Sequence, residues 1–279
     1  MRRLGLCLLC LLLLISSLLF CQNSAQEPVL QIIFLDVGQG DSILLRTSEG
    51  DILIDAGTDA AQELLCLRLE QLGVTELALA VFTHPDEDHI GGADGVIRQF
   101  SPREIWVGAI SYKSEAERLL SAAANACDVA IQTAGAGKSL SLGGVRISVL
   151  APIGDVSAGG NDSSIVLRVQ CGEIGAIFSG DAGSEVEGML LDRYGSAQLA
   201  CDLYKVGHHG STTSSSAVFV QTMQPDYAVI CCGAANSYGH PMGEVLARLE
   251  AVGATVLRTD LCGEIVFETD GYALICTDR

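Results

Sequence analysis

The segment Thr83-His84-Pro85-Asp86-Glu87-Asp88-His89-Ile90-Gly91-Gly92 follows directly on the unbroken apolar run Ala78–Phe82, and this junction constrains the chain more than any other stretch. A short apolar run that ends in a polar, Gly-terminated turn reads as a buried strand that leaves its sheet at Thr83. The turn then presents His84, Asp86, Asp88 and His89 from one tight loop. Imidazole mixed with carboxylate suits zinc, manganese or iron, and a loop at a sheet edge leaves coordination positions open for water. The plainer interpretation is a polar loop in which one Asp caps a helix starting near His89. A cap needs a single carboxylate, whereas this loop holds three carboxylates and two imidazoles.

Around that loop the pattern alternates. Strand-like runs over Val29–Leu35, Ser42–Thr47 and Asp51–Ile54, joined by short Gly-containing turns, predict an antiparallel opening. A helix over Gln62–Gln71, the Leu77–Phe82 strand, a helix after Gly92, a strand at Glu104–Val107 and a helix over Ser114–Ala126 come next. Extended patterns return over residues 128–150, and the Gly- and Ser-rich stretch Ile153–Ser164 is the expected boundary between two halves. Strands at Ile165–Gln170 and Ala176–Phe178 open the second pass, which closes on a Gly263–Cys276 hairpin with Asp270-Gly271 as its turn. Two halves, each beginning in strands and ending in helices, predict an α/β fold of two mixed sheets with helices outside.

Composition bounds the function. Residues 4–20 are almost wholly apolar behind Arg2 and Arg3, the layout of a secretory leader or an N-terminal membrane anchor within residues 1–25. The expected location is therefore secreted or extracytoplasmic, with cleavage favoured over an uncleaved anchor and Cys21 a poor lipidation site because Phe20 precedes it. The formal charge of -18, with no run of basic residues, argues against tight general binding of a polyanion. It leaves room for a nuclease whose grip on phosphate comes from metals. Of 11 cysteines, Cys7, Cys10 and Cys21 fall in the leader, and Cys171, Cys201, Cys231 and Cys276 read as small buried hydrophobes. The adjacent Cys231-Cys232 cannot both point inward from a strand, and Cys262 with Cys276 is the one pairing the hairpin suggests.

The His84 loop resembles the HxHxDH loop of the metallo-beta-lactamase fold, with Asp86 in place of the second His. The resemblance spans residues 29–279 and is nearest to the hydrolase domain of ComEC-type competence proteins, where an HxDxDH variant is familiar. Four further segments carry it: Phe34–Ser42 (Phe-Leu-Asp-Val-Gly-Gln-Gly-Asp-Ser), Ile54–Gly57, Asn161–Ser164 and Lys205–Ser211 (Lys-Val-Gly-His-His-Gly-Ser). It implies an αββα sandwich with two divalent metal ions, zinc or manganese, at one edge between the sheets. Asp181, at the end of the apolar strand in Phe178-Ser179-Gly180-Asp181, takes the place of the family's bridging carboxylate. The competing role for Asp181 is to cap a helix over Ser184–Arg193.

On the same likeness one metal site would hold His84, Asp86 and Asp181, and the other Asp88, His89, Asp181 and His209. The first is rich in oxygen, which makes manganese competitive with zinc there. Asp88 would also orient the bridging hydroxide, and Asp55 would support a ligand from behind. The tandem His208-His209 divides between substrate or proton transfer for His208 and metal for His209, with the swapped assignment open. His240 would ligate the second metal or touch a phosphoryl oxygen; otherwise it packs on Tyr238. Asn161, Ser163, Lys205 and Ser211 are the expected substrate contacts, and the Asp36–Ser42 turn is equally well a simple connection.

The expectation that results is an exported hydrolase of phosphodiester bonds in which a metal-bridging hydroxide attacks phosphorus and His208 or His240 assists the leaving group. Its substrates would be DNA, including single-stranded DNA, or a small phosphodiester such as a nucleotide or phosphorylcholine ester, with membrane contact only through the N-terminal segment. Hydrolysis of a carboxylic ester, thioester or lactone on the same two metals is the enzymatic rival. A binding module with a decayed site, suggested by the missing third imidazole, is the rival outside enzymes.

Overall fold

The computed structural model describes residues 29–109, 113–154 and 160–277; the apolar N-terminal segment and Cys7, Cys10 and Cys21 lie outside them. The strands are β1 Leu30–Phe34, β2 Ile43–Thr47, β3 Gly50–Ile54, β4 Leu77–Phe82, β5 Ile105–Val107, β6 Ile131–Thr133, β7 Ser139–Leu142, β8 Val145–Ala151, β9 Val166–Cys171, β10 Ile174–Phe178, β11 Leu203–Lys205, β12 Tyr227–Ile230, β13 Thr255–Arg258, β14 Ile265–Thr269 and β15 Leu274–Cys276. Six longer helices punctuate them: α1 Gln62–Gln71, α2 Ala93–Phe100, α3 Glu115–Ala126, α4 Ser184–Arg193, α5 Ala217–Met223 and α6 Gly243–Ala251.

The strands form an eight-stranded sheet in the order β15-β14-β1-β2-β3-β4-β5-β6 and a seven-stranded sheet in the order β13-β12-β11-β10-β9-β8-β7. Each sheet is antiparallel through its hairpins and parallel where helices intervene, from β3 to β6 and from β10 to β13. Between the sheets lies a core of alternating strand residues, with Phe34 of the first stacked on Phe178 of the second at 6.1 Å. The first sheet's outer face packs Leu65, Leu69, Val96, Ile97, Phe100 and Leu120 from α1, α2 and α3. The second packs Val186, Leu190, Phe219, Val220, Val245 and Leu249 from α4, α5 and α6. This is the αββα sandwich expected, and each fully buried Leu, Ile or Phe contributes roughly 1.5–3 kcal/mol to it.

Local sequence explains the elements. Every residue of β4 is buried because sheet and helices cover both its faces, which is why it reads as a continuous apolar run rather than an alternating one. Ala93, Val96, Ile97 and Phe100 recur at helical spacing and form the buried stripe of α2. Ser114 and Glu117 close a capping box at the start of α3, an arrangement worth about 1 kcal/mol.

Three expectations are corrected. The change of sheet falls between β6 and β7, before residue 139, so β7 and β8 join the second sheet and the Ile153–Ser164 stretch divides nothing. Cys231 and Cys232 are both buried, because their side chains enter different layers, Cys231 between the sheets and Cys232 under the helices. No disulfide joins the eight cysteines among the described residues. Cys276 sits opposite Phe267 in its hairpin and Cys262 lies exposed on the turn before it, so that pair is not opposed.

Candidate metal centre

The ends of the parallel strands build the site. Asp55 follows β3, Thr83 and His84 follow β4, Asp181 lies just past β10, His208 and His209 just past β11, and Cys231 just past β12. Neither capping explanation holds for the carboxylates. Asp86 precedes the one-turn helix Glu87–Ile90 without a capping hydrogen bond from its side chain, and the residue ahead of α4 is Gly183 rather than Asp181.

Asp181 is the centre of the cluster. Its Oδ1 lies 3.2 Å from Nε2 of His89, and its Oδ2 lies 3.6 Å from Nε2 of His209, 3.8 Å from Nε2 of His84 and 3.5 Å from Nε2 of His208. His89 and His209 bring their Nε2 atoms to 3.3 Å from each other, and Asp88 Oδ2 is 3.2 Å from the latter. Asp86 Oδ2 lies 3.6 Å from Nε2 of His84 on the opposite flank. The loop residues His84, Asp86, Asp88 and His89 thus converge with Asp181 and the tandem histidines. Both members of the tandem pair bring Nε2 near the same carboxylate oxygen, His208 from a part-exposed position and His209 from a buried one.

This donor set fits divalent cations. Nε2 of His84 and Oδ1 of Asp181 are buried without a hydrogen-bond partner, an arrangement that a cation would relieve. Imidazole nitrogen mixed with carboxylate oxygen suits zinc, manganese or iron. His84, Asp86 and Asp181 make one group; Asp88, His89, Asp181 and His209 make the other.

A second layer fixes the rings. Asp55 takes hydrogen bonds from the Thr83 amide at 2.7 Å and the Thr83 hydroxyl at 2.8 Å, and its Oδ2 sits 2.7 Å from Nδ1 of His89. Nδ1 of His209 donates to the Cys231 carbonyl at 2.9 Å, and Asp41 Oδ1 is 3.3 Å from the same nitrogen. Asp41 is itself locked by a buried ion pair with Lys205. One oxygen or nitrogen from each of Asp41, His89, Asp181 and His209 fits within 4.8 Å, yet Asp41 faces the Nδ1 edges of the rings and so stands behind them rather than among the ligands.

Sequence reasoning missed Asp41. The Asp36–Ser42 turn brings it in because Gly40, at φ +129°, passes the Asp88 carbonyl so closely that a Cβ would lie 2.2 Å from the oxygen. The Asp41 amide then donates to that carbonyl at 3.2 Å. The available signal was a lone Lys in an otherwise apolar strand, since a buried ammonium demands a carboxylate. His208 and His209 hold left-handed backbone at φ 49° and 52°, strain of about 1–2 kcal/mol each that splays the two rings. The His208 amide, donating to the Gly180 carbonyl at 3.0 Å, ties this turn to the Asp181 strand end.

Charge follows the geometry. Burial works against protonating His89 and His209, but Asp181 and the carboxylates behind the rings outweigh it, placing His89 well above its ordinary value and His209 at about 9. Burial also opposes ionising Asp181, and His209 with His89 overcomes it, so that the carboxyl stays well below the usual range. Burial and neighbouring cations push His208 down instead, and burial with the neighbouring imidazoles does the same to His240.

The expected substrate contacts divide. Asn161 Nδ2 lies 3.3 Å from the His208 ring, so it touches the site. Lys205 is 1% exposed and its ammonium is spent on Asp41, which removes it from substrate. Ser163 is buried and donates to the Gly160 carbonyl at 2.6 Å. Ser211 is buried too; its hydroxyl meets Thr213 Oγ1, which lies 3.0 Å from Nδ1 of His208, so Ser211 acts on the site only through Thr213. His240 packs edge-on against His208 at 5.7 Å and stacks on Tyr238.

Known proteins carry the same plan. The chain is 35% identical over 95% of its length to competence protein ComA of Neisseria gonorrhoeae, and 30% identical over 94% to ComE operon protein 3 of Bacillus subtilis, spanning 36% and 35% of those proteins. It therefore covers about a third of the curated relatives it matches. Among solved structures, YhfI from Bacillus subtilis, a metallo-beta-lactamase fold protein, superposes with a TM-score of 0.54 at 12% identity over 85% of this chain and 99% of its own. CmlA, a diiron beta-hydroxylase from Streptomyces venezuelae, does so at 0.56 and 13% identity over 87% of this chain and 54% of its own. At those identities the likeness is one of fold alone. Residues 35–234 match the model of the metallo-beta-lactamase superfamily, and with the strand ends that carry the cluster lying inside that span the chain belongs to this superfamily of generally metal-dependent hydrolases.

Proposed function

We propose that this protein is a divalent-metal-dependent phosphodiesterase acting on DNA or a small phosphodiester. The observation that carries the reading is Asp181, a single buried carboxylate shared by two ligand groups drawn from separate strand ends. Divalent cations held by His84, Asp86, Asp88, His89, Asp181 and His209, zinc or manganese by donor type, would polarise a water and neutralise charge on the ester's oxygens. The chain's own residues supply the rest. Asp55 and Asp41 hold the His89 and His209 rings with Nε2 directed into the hollow. Asp88, a quarter exposed, is placed to accept a proton from an entering water. His208 and His240 line the open side, where they can hold or move a proton at Nε2 or orient a phosphoryl oxygen, and Asn161 and Thr213 fix the His208 ring.

The competence-protein relatives favour nucleic acid among diesters, and the acidic balance favours short or single-stranded substrates over a long duplex. Export is proposed on the N-terminal pattern of the sequence; among the described residues no helix is long and apolar enough to cross a membrane. The test is a panel comparing bis(4-nitrophenyl) phosphate, single-stranded DNA, a phosphorylcholine ester and a lactone with added manganese or zinc. Turnover of the diesters, abolished by a chelator and restored by metal, is the expected result. Turnover confined to the lactone would sink the reading, and less than one equivalent of bound metal with no turnover would mark a decayed site.

A further inference from the structure

We propose that Tyr238 is a stacking platform for a nucleobase beside the scissile diester, an assignment that rests on the phosphodiester reading and narrows it to base-bearing substrates. Tyr238 is 66% exposed at the rim of the metal centre. Its inner face is stacked on His240, centroids 5.7 Å apart and planes within 20°, and His240 in turn meets His208 at 5.7 Å. His208 reaches Asp181, so a series of rings leads from solvent to the ligand cluster, a span that a short single strand covers. Hydrogen bonds from one side chain brace the loop that carries the stacked pair. Asn236 accepts from the His240 amide at 3.0 Å and donates to the His240 carbonyl at 2.7 Å and the Gly233 carbonyl at 3.0 Å.

Charge points to the same occupant. Arg46, Arg68, Arg98, Arg103, Arg118, Arg248 and Arg258 are each engaged by a neighbouring carboxylate, and Lys205, the cation that touches the cluster, is buried against Asp41. On a chain of charge -18 an anionic strand meets an unfavourable average field. Metals and uncharged contact would supply its grip. A ring face supplies the latter for any base and needs no positive field, which is how single strands are held without sequence preference. The outer face of Tyr238 is open for that contact, while its inner face is already backed by His240.

The experiment compares wild type, Tyr238→Ala and Tyr238→Phe on a short oligothymidylate and on a strand of equal length made of abasic sites. Wild type should favour the base-bearing strand through KM, Tyr238→Ala should raise that KM by roughly five- to a hundredfold and erase the preference, and Tyr238→Phe should restore it. Equal losses on both strands, or none, would overturn the proposal. A larger effect on a phosphorylcholine ester than on the oligonucleotide would overturn it in favour of a cation-binding ring. Titration of metal-free protein with thymidine monophosphate, followed through the Tyr238 ring resonances, reads the contact without turnover. Absent turnover of any diester sinks the phosphodiester reading, whereas absent ring shifts sink the stacking platform.

Discussion

The two flanks of Asp181 are built to different standards. On the His89 flank every ring is backed: Asp55 and Thr83 fix His89, and the Cys231 carbonyl and the Asp41–Lys205 pair fix His209, all of it buried. On the other flank His84 is touched at Nδ1 by the Thr83 hydroxyl at 3.1 Å, and Asp86 has a side chain 48% exposed. Support of this kind typically changes metal affinity or activity by 10–100-fold. On the proposed reading the His89 flank would therefore be the tighter site and the His84 flank the exchangeable one, although both lean on one carboxylate.

Removing that shared carboxylate should have the largest effect. Asp181→Ala deprives both flanks together, and losing several kcal/mol of charge stabilisation lowers kcat/KM by about a thousandfold or more. Metal content measured on the purified variant should fall on both flanks; loss at one alone would show that Asp181 is not shared. Proton competition comes next. A cation needs the lone pair at Nε2, and His209 in the metal-free protein keeps its proton up to about 9, with His89 also held well above its ordinary value. Raising pH toward that value should therefore strengthen binding, roughly tenfold per pH unit for each proton displaced. Calorimetry in buffers of different ionisation heat should detect protons released; binding that is flat between pH 6 and about 9 would contradict the charge picture of the His89 flank.

The convergence of these side chains was legible because most of them cluster in sequence. His84 to His89 lie in one loop and His208-His209 in another, and Asp181 ends an apolar strand whose neighbours announce it. The αββα plan was legible because strand and helix periodicities alternate cleanly. What failed shares one cause, the absence of long-range pairing from local pattern. Nothing in Ser139–Leu142 says which sheet it joins, so the division was placed too late in the chain. Lys205 read as a substrate contact because a strand Lys commonly points to solvent, while its partner, Asp41, is more than 160 positions earlier in a turn that looked like a connection. Ser163 and Ser211 are polar residues near ligands whose hydroxyls nevertheless point to other protein groups.

The Asp41–Lys205 pair tests whether the backing matters in itself. Lys205→Met leaves the Asp41 charge buried without its cation, which costs about 3–5 kcal/mol of stability. It should also weaken metal binding on the His89 flank by about 10–100-fold. The double variant Asp41→Asn with Lys205→Met separates the two effects, since it removes both charges. Thermal melting should recover most of the stability while metal titration should not recover the affinity, because His209 has now lost the carboxylate behind its ring. Recovery of both would reduce the pair to a packing element and erase the difference between the flanks.

Asp86→Ala should be the mildest change and the most direct check of the asymmetry. Its carboxylate caps no helix and reaches the cluster only through His84, at 3.6 Å, from a half-exposed position where water can replace an oxygen ligand. Affinity on the His84 flank should fall by less than about tenfold, the lower bound for a buried supporting group. Binding on the His89 flank should stay intact, since no Asp86 contact touches His89 or His209. Metal titration resolving two classes of site would show one isotherm moving and one fixed. If instead Asp86→Ala costs more than Lys205→Met, the exposed oxygen is the stronger anchor and the burial-based ranking of the two flanks is inverted.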